Sequence, residues 1–543
     1  MMKKEFILLV LIFILACTLR IYSLPSVPHA FHRDEVINTY IGRYILLNGV
    51  DLYGNKLPIF YFNKYGDYPP ILPMYLSGIA TFIFGVNEMS SRIIPAFVGG
   101  LIVFPIFFIS QFIYKNYKLS LLSALFISIF PWHIVLSRSS SEGILAVTAF
   151  TTGLAFLFKG IKNKNFFLVT SSLFLFLLTY FLYPSFRLFI PLSLFPLPFI
   201  FRVNKYRNIL ILFIVISLLL TALIAQTKWG RARFDQTSLF GYSNPVPERL
   251  KILSNDEGQN NIMFARIFHN KIVGYTHEFI NQYLSYFSTD FLFIRGGSPP
   301  EYVVPDSGLL YITYFILLIG LALPFAVSIE NRLYYYTLYL LAVAPIPSAL
   351  TTDFVPHVHR SLIMTVPIVL IMPYGFLKIF SVFGRNKKRY FSIATYLLLF
   401  FLFIETTYSM HQYFRHTASF KSVFRNDGAT ELAVTISDMK KKYSKVLMPV
   451  YGNLPIYYLF YTNDFNPLYV GKFHGDLEID YISNIEFKRD SCPSILMEKE
   501  TIPQNTLIVD DANCKILSRY KEVRPPIFRK DGTRAYRFLV VEK

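Results

Sequence analysis

The sequence predicts an α-helical polytopic membrane protein with about eleven transmembrane helices, additional interfacial helices and a small C-terminal extracytoplasmic α/β domain. Two observations predict this class. Of the 543 residues, 53% are hydrophobic and 16% are charged, whereas a soluble protein carries roughly 25% charged residues. Apolar runs long enough to cross a bilayer recur up to residue 410 and are missing from the sequence after it.

The transmembrane helices are predicted from apolar runs of about 20 residues. The runs that qualify are 5–23, 91–114, 119–136, 142–159, 165–182, 186–203, 207–226, 308–329, 332–350, 360–380 and 389–410. We interpret the first run as a retained helix, because no small-x-small cleavage site follows it.

One further run, 71–86, is short and begins among three prolines. Cytoplasmic loops are enriched in Lys and Arg, and this rule decides whether the run spans. If it does not span, the short outside loops contain only Arg138, Arg187 and Arg360. The inside loops then contain Lys115, Lys118, Lys159, Lys162, Lys164, Arg202, Lys205, Arg207, Arg332, Arg385, Lys387, Lys388 and Arg389. We therefore predict an interfacial or re-entrant helix here and a cytoplasmic N-terminus.

The same charge distribution bears on partners. The net charge of +19 would suggest nucleic acid for a soluble protein, but here the basic residues are an orientation signal. We therefore predict no nucleic-acid partner.

This topology divides the chain into a transmembrane domain, 1–410, and an extracytoplasmic α/β domain, 411–543. The outside regions of the first domain are the loop 24–90, the short loops 137–141 and 351–359, and the long loop 227–307. In the tail, helical spacing covers 430–442, and strand-like runs occur at 446–448, 507–509 and 538–541. The sequence leaves open whether Cys492 and Cys514 form a disulfide or remain separate thiols.

The first outer loop contains an acidic pair, Asp34 and Glu35, at the start of an amphipathic stretch. The apolar residues from Val36 to Ile45 fall on one helical face, so we expect this helix to lie flat on the membrane. Asp34 then has two interpretations: a catalytic base held at the bilayer surface, or a helix N-cap.

Three other outer segments contain candidate binding residues. Lys64, Tyr65, Asp67 and Tyr68 could contact a sugar and a phosphate, or they could form an aromatic belt at the interface. Arg138 and Glu142 could bind substrate or pair with each other across one helical turn. The third segment contains His357, His359 and Arg360. Two imidazoles are weak evidence for a metal site, whereas the Arg360 guanidinium is well suited to binding a lipid phosphate.

Taken in order, these segments resemble membrane glycosyltransferases of the GT-C class. The similarity is to the bacterial branch of glycosyltransferase family 39, which is related to dolichyl-phosphate-mannose protein mannosyltransferases. The motifs that carry it are Asp34-Glu35, Tyr68-Pro69-Pro70-Ile71, Phe84 to Glu88 with Arg92, Ser137-Arg138 with Glu142, Tyr286 to Phe293, and Pro356-His357 with Arg360-Ser361. The resemblance covers about residues 1–410, judged on those motifs alone.

The resemblance implies inverting transfer of a hexose or pentose from a polyprenyl-phosphate donor to an acceptor hydroxyl at the outer face. Asp34 would be the base and Glu35 its catalytic neighbour. Arg138, Arg360, Lys64 and His357 would bind the donor phosphate, and Tyr65, Asp67, Tyr68 and Glu142 the substrate. No cofactor is expected, and a divalent metal is possible although the sequence does not support one. The expected partners are membrane lipids and an unidentified acceptor. The alternatives are a flippase or transporter of lipid-linked saccharide, and a polysaccharide polymerase or ligase.

Overall fold

The computed structural model describes residues 3–64, 66–201, 204–241, 244–321, 331–381, 388–497, 502–503 and 505–542. The chain folds into two units. The first comprises residues 1–20, 97–137 and 141–410, and the second comprises 21–96, 138–140 and 411–543.

Helices make up the first unit. Polar caps begin several of them: Asn116, Ser141, Asn165 and Asn331 each accept backbone N–H groups of the first turn. The helices from residue 3 to residue 226, apart from two that belong to the second unit, are α1 (Lys3–Ile21), α4 (Glu88–Leu101, shared by both units), α5 (Val103–Tyr114), α6 (Tyr117–Ser128), α7 (Pro131–Ser137), α8 (Glu142–Lys162), α9 (Phe166–Leu182), α10 (Phe186–Leu194), α11 (Leu197–Ile200) and α12 (Asn204–Gln226).

The later helices of this unit include polar helices of the long loop, such as α13 and α14, as well as apolar ones. They are α13 (Lys228–Thr237), α14 (Val246–Gly258), α15 (Ile262–Phe268), α16 (Lys271–Ser285), α17 (Ile312–Gly320), α18 (Arg332–Val343), α19 (Ile346–Ala349), α20 (Thr365–Ser381) and α21 (Lys388–His411).

Within the described ranges, five helices are long and apolar enough to cross a membrane, or six if the bent pair α6 and α7 forms one span. Other predicted spans are shorter helices. The segment 186–203 is divided into α10 and α11 at Pro196, because proline cannot donate within a helix. Part of the predicted span 308–329 lies outside the described residues.

The second unit contains α2 (Arg33–Asn48), α3 (Leu72–Phe84) and the tail. Helices α2 and α3 approach closely where two glycines meet: a Cβ on Gly42 would lie 1.8 Å from the carbonyl oxygen of Met74. With 13 residues, α3 is about 20 Å long, too short for the hydrocarbon core of about 30 Å.

The tail contains α22 (Ala429–Met439), α23 (Leu454–Tyr461), α24 (Pro493–Leu496) and one sheet. Its described strands are β1 (Lys445–Pro449), β2 (Tyr481–Ile482), β3 (Ile485–Lys488), β4 (Thr506–Asp511), β5 (Tyr520–Phe528) and β6 (Arg534–Val541). They are arranged in the order β2-β3-β1-β4-β6-β5. Strand β1 pairs in parallel with β3 and β4, and β6 pairs antiparallel with β4 and β5. The predicted helix and the three predicted strands are all present, and Cys492 forms a disulfide with Cys514.

The apolar face of α2, which we expected to lie against the membrane, is covered by protein. Its apolar side chains, including Val36, Tyr40 and Tyr44, are fully buried in a hydrophobic core shared with the tail. The Tyr40 hydroxyl donates to the Asp464 carbonyl at 2.8 Å, and the Tyr44 hydroxyl donates to the Asn466 carbonyl at 3.1 Å. An amphipathic face can be covered by protein as well as by lipid, and here the tail covers it.

Candidate active site

The first candidate group lies at the start of α2 in the second unit. His32 is the N-cap, and its Nδ1 accepts the Asp34 N–H at 3.3 Å. Asp34 is therefore not the cap, and its side chain is 57% exposed. Its carboxylate lies 3.7 Å from His32 Nδ1 and 3.9 Å from Arg33 Nε. Asp34 thus presents a carboxylate at the surface, in the first turn of a helix whose cap is supplied by another residue.

Glu35 differs sharply from Asp34 because it is buried, with 3% of its surface exposed. Arg92 Nε donates to Glu35 Oε1 at 3.0 Å, and Arg92 Nη2 donates to Oε2 at 2.8 Å. The backbone N–H groups of His32 and Ser140 also donate to this carboxylate, at 3.1 and 3.2 Å. Both carboxylate oxygens are thus engaged, so the geometry favours a structural role for Glu35 rather than the predicted catalytic one.

Burial alone would raise the pKa of Glu35, but the charge and hydrogen bonds of Arg92 outweigh it and lower that pKa below its ordinary value. The carboxylate is therefore ionised at neutral pH. Its contribution to stability is fully present above the ordinary glutamate pKa and is lost as the pH falls through the lowered value.

Three buried arginines hold the segment that leads into Asp34. Arg92 donates to the carbonyls of Leu24, Pro28 and Ala30 at 3.2, 3.0 and 2.7 Å. Arg138 Nη2 donates to the carbonyls of Tyr22 and Val27, both at 2.8 Å. Arg425 Nε, from the tail, donates to the His29 carbonyl at 3.0 Å.

The surroundings of Arg138 bear on its predicted role. Its side chain is fully buried, and its guanidinium lies 4.7 Å from the ring centre of Phe414. This environment favours support of the Asp34 loop over the predicted contact with a donor phosphate. Sequence reasoning missed the supporting role of Arg92 and Arg425, although Arg92 was named as part of the Phe84–Arg92 motif.

The remaining candidates of the first loop lie elsewhere in this unit. Lys64 Nζ lies 3.1 Å from Asp476 Oδ1 of the tail. Asp67 Oδ1 accepts the backbone N–H of Tyr68 at 3.0 Å, and the Tyr68 ring packs edge-on against Tyr61 at 5.2 Å. Tyr65 lies outside the described residues.

The second candidate group lies in the first unit, around residues 353–360. Arg360 forms a bidentate pair with Asp353, with N–O distances of 2.7 and 2.6 Å. Arg360 also lines an apolar cavity of about 250 Å³. The cavity wall consists of Tyr183, Pro184, Ser185, Arg187, Leu188, Thr221, Ile224, Ala225, Gly230, Phe234, Thr237, Ser238, Phe240, Pro347, Leu350, Thr351 and Arg360.

Arg187 is the second cation of this cavity. Its guanidinium lies 4.7 Å from the ring centre of Trp229, and its Nε donates to the Tyr180 carbonyl at 3.3 Å. Sequence reasoning counted Arg187 among the outside cations but did not assign it to a site. Its position at the start of the predicted span 186–203, three residues after Pro184, was the sequence feature that could have indicated a site.

The histidines of this region hold the loop together. His357 Nδ1 accepts the backbone N–H groups of His359 and Arg360 at 3.2 and 3.4 Å. His359 Nε2 accepts the Gly143 N–H at 3.2 Å and lies 2.8 Å from Ser141 Oγ. Glu142 Oε2 is 4.0 Å from the same nitrogen. His357 and Glu142 therefore lie in a network that fixes the start of α8. Over the part of the chain with described coordinates, no group of three or more His, Cys, Asp or Glu side chains could hold a metal ion.

Comparisons with known proteins bear on the fold. No protein-family model and no curated protein sequence matches the chain. Among solved structures, the chain is similar to ArnT from Cupriavidus metallidurans bound to undecaprenyl phosphate, with 12% identity, a TM-score of 0.52 and 97% of each chain covered. It also matches the apo Archaeoglobus fulgidus oligosaccharyltransferase, with 13% identity, a TM-score of 0.49, and coverage of 93% of this chain and 69% of the other.

The likeness to ArnT extends over nearly the whole of both chains, including the tail. At this identity it is evidence about the fold alone. Together with the long apolar helices, it confirms the predicted architecture: the chain is a membrane protein with a GT-C-like helical fold and a small C-terminal α/β sheet.

Proposed function

We propose that this protein transfers a sugar from a polyprenyl-phosphate donor to an acceptor hydroxyl, with Asp34 as the general base. The observation that carries this proposal is the contrast at the start of α2. Asp34 is exposed, while its neighbour Glu35 and the preceding segment are fixed by buried arginines. A positioned and accessible carboxylate is what general-base catalysis of this transfer requires.

The proposed reaction is a single displacement. Asp34 accepts the proton of the acceptor hydroxyl while that oxygen attacks the anomeric carbon. The bond between the anomeric carbon and the phosphate oxygen breaks, and the configuration at the carbon is inverted. The polyprenyl phosphate leaves as an anion, so the reaction needs cations near the phosphate rather than a general acid.

The cavity lined by Arg187 and Arg360 supports the donor half of the proposal. Its wall is mostly apolar, which suits a prenyl chain, and two guanidinium groups suit a phosphate. Asp353 already pairs with Arg360. A phosphate at Arg360 would therefore compete with Asp353, and Arg187 would supply a second guanidinium to it.

The first prediction concerns this cavity. Arg187→Ala should raise the KM for a polyprenyl-phosphate sugar by roughly tenfold or more, since a charge-assisted hydrogen bond contributes about 1.5–3 kcal/mol. Asp353→Asn should lower the KM, because it removes the carboxylate that competes with the phosphate for Arg360. Steady-state transfer assays with purified protein measure both values. Arg295→Ala, on a surface arginine paired with Asp290, is the control and should leave the KM unchanged. An unchanged KM in Arg187→Ala would contradict this donor site.

We also propose that the chain crosses the membrane several times, with a cytoplasmic N-terminus and an extracytoplasmic tail. The distribution of Lys and Arg supports this orientation. The Cys492–Cys514 disulfide in the tail supports it independently, because such bonds persist in oxidising compartments.

A thiol-labelling experiment tests the orientation. In a Cys17→Ser background, a membrane-impermeant maleimide should label Lys521→Cys in intact cells. It should label Lys164→Cys, in a predicted inside loop, only after lysis. Labelling of Lys164→Cys in intact cells, with Lys521→Cys protected, would show the opposite orientation.

The rival transporter function predicts charged residues within the spans. Glu405 in α21 is the candidate, but its carboxylate oxygens each accept the Thr313 N–H at 3.2 Å. This contact satisfies a donor at the start of α17, so Glu405 has a structural explanation.

Mass spectrometry of membranes tests the proposed function directly. Cells that express the wild-type chain should contain a lipid, glycan or protein that has gained one hexose or pentose relative to cells with an empty vector. Cells that express Asp34→Asn at the same level should lack this product. Identical products in all three membranes would reject the transferase function.

A further inference from the structure

A second cavity lies in the second unit, and the proposed donor chemistry does not use it. Its volume is about 340 Å³, within the range of about 300–1,000 Å³ of small-molecule pockets. Its wall includes His29, Glu88, Asp427, Glu431, Phe528 and Lys530. These residues come from the loop before Asp34, from the start of α4 and from the tail.

The cavity is built next to the start of α2. His29 Nε2 lies 3.1 Å from Asp427 Oδ1, and Asp427 Oδ2 accepts the Lys530 N–H at 2.6 Å. One residue before Asp427, the Asn426 side chain accepts the N–H of Arg33 at 3.3 Å. The residue preceding Asp34 therefore contacts the sequence neighbour of a wall residue.

The chemistry of the wall selects the class of ligand. Two wall residues, Glu88 and Thr430, are bridged by Tyr461: its hydroxyl donates to Glu88 and accepts from Thr430 Oγ1 at 3.0 Å. Glu431 is exposed on the first turn of α22. The carboxylates of Glu88, Asp427 and Glu431 outnumber the one ammonium of Lys530, so the cavity disfavours phosphates, sulfates and uronic acids.

Carboxylates accept hydrogen bonds from hydroxyl groups, and an aromatic ring offers an apolar face to a sugar. Phe528 provides that ring, since it is 51% exposed at the cavity although it lies on β5. Hydroxyl acceptors together with one exposed ring are typical of a site for a neutral saccharide.

We propose that this cavity binds a neutral sugar residue of the acceptor, which makes the acceptor a glycan or glycolipid. This inference rests on the proposed transferase function, because it assigns the acceptor to the side of the protein that carries Asp34. It also assigns the tail a role: the tail supplies Asp427, Glu431 and Phe528 to the wall.

Saturation-transfer NMR on the purified full chain in detergent tests the proposal. The probes are neutral disaccharides of glucose, galactose and mannose, a glucosamine disaccharide and a uronic-acid disaccharide. At least one neutral disaccharide should bind, and Glu431→Gln and Phe528→Ala should each weaken its affinity at least threefold. Glu522→Gln, on β5, and Tyr481→Ala, on β2 at the opposite edge of the sheet, change exposed side chains that are absent from the wall. They are the matched controls and should bind like wild type.

The Asp34→Asn protein separates the failure of this inference from the failure of the proposed function. It should bind the neutral disaccharide with wild-type affinity even though it transfers no sugar. Binding of the uronic-acid disaccharide alone would overturn the assignment. Binding of the glucosamine disaccharide alone would also overturn it, because the carboxylates would then select a cationic sugar by its charge. So would the absence of binding by any probe to folded wild-type protein, or equal binding by the wall variants and their controls.

Discussion

Asp34→Asn should reduce kcat for sugar transfer by about 10²–10⁴-fold, the usual contribution of a positioned general base. The amide cannot accept the acceptor proton, although it occupies almost the same volume. Because the Asp34 side chain is exposed and His32 supplies the cap, the substitution should leave folding unchanged. The measurement is a transfer assay with purified protein, accompanied by a thermal unfolding curve.

Two further variants complete this test. Asp34→Glu keeps the carboxylate and should recover part of the activity, whereas Asp34→Ala should match Asp34→Asn. Arg33→Gln, which changes the exposed neighbour, is the control and should retain most of the activity. Wild-type kcat in Asp34→Asn would contradict the role of Asp34 as the base.

Arg92→Ala should destabilise the protein by about 3–5 kcal/mol, because it leaves Glu35 as an unpaired buried charge. Arg92 is fully buried and also donates to four carbonyls of the segment before α2, so these acceptors lose a donor as well. We expect a fall of several degrees in the unfolding temperature together with loss of transfer activity. Thermal unfolding in detergent, followed by intrinsic fluorescence, provides the measurement.

The double variant Arg92→Leu with Glu35→Leu separates charge burial from the contacts to the loop. Replacing a buried ion pair with apolar side chains is often neutral for stability, so the double variant should be more stable than Arg92→Ala. Its activity should remain low, because the loop carbonyls still lack their donor. Wild-type stability in Arg92→Ala would contradict the structural role assigned to this pair.

The tail shows where sequence reasoning succeeds. Runs such as 507–509 and 538–541 are apolar and β-branched, and they became the buried strands β4 and β6. Local composition decides such elements because a central strand is buried on both faces. The helical spacing of 430–442 predicted α22 because its apolar residues recur on one face, and that face is buried.

Helix α2 shows where it fails. Its apolar face was predicted correctly, but the partner of that face was not. The side chains of α2 pack against residues more than 400 positions later, such as Asp464 and Tyr457. Amphipathic periodicity records which face is buried and contains no information about whether lipid or protein covers it.

The same limit applies to the candidate site. The acidic pair was found because two carboxylates adjoin a helix start, yet their different fates depend on Arg92, 57 positions away. Adjacent residues on a helix point about 100° apart, so Asp34 can be exposed while Glu35 is buried. The wall of the second cavity depends likewise on contacts between distant segments, which no local pattern encodes.

A doubly labelled donor tests the central claim most directly. The polyprenyl phosphate carries one isotope in the sugar and another in the lipid, and the purified wild-type chain is incubated with it and with membrane extract as the acceptor source. Our account predicts that the sugar label moves to the acceptor fraction while an equal amount of free polyprenyl phosphate appears. If both labels remained on an intact donor, with or without its movement across a bilayer, the chain would not be a transferase.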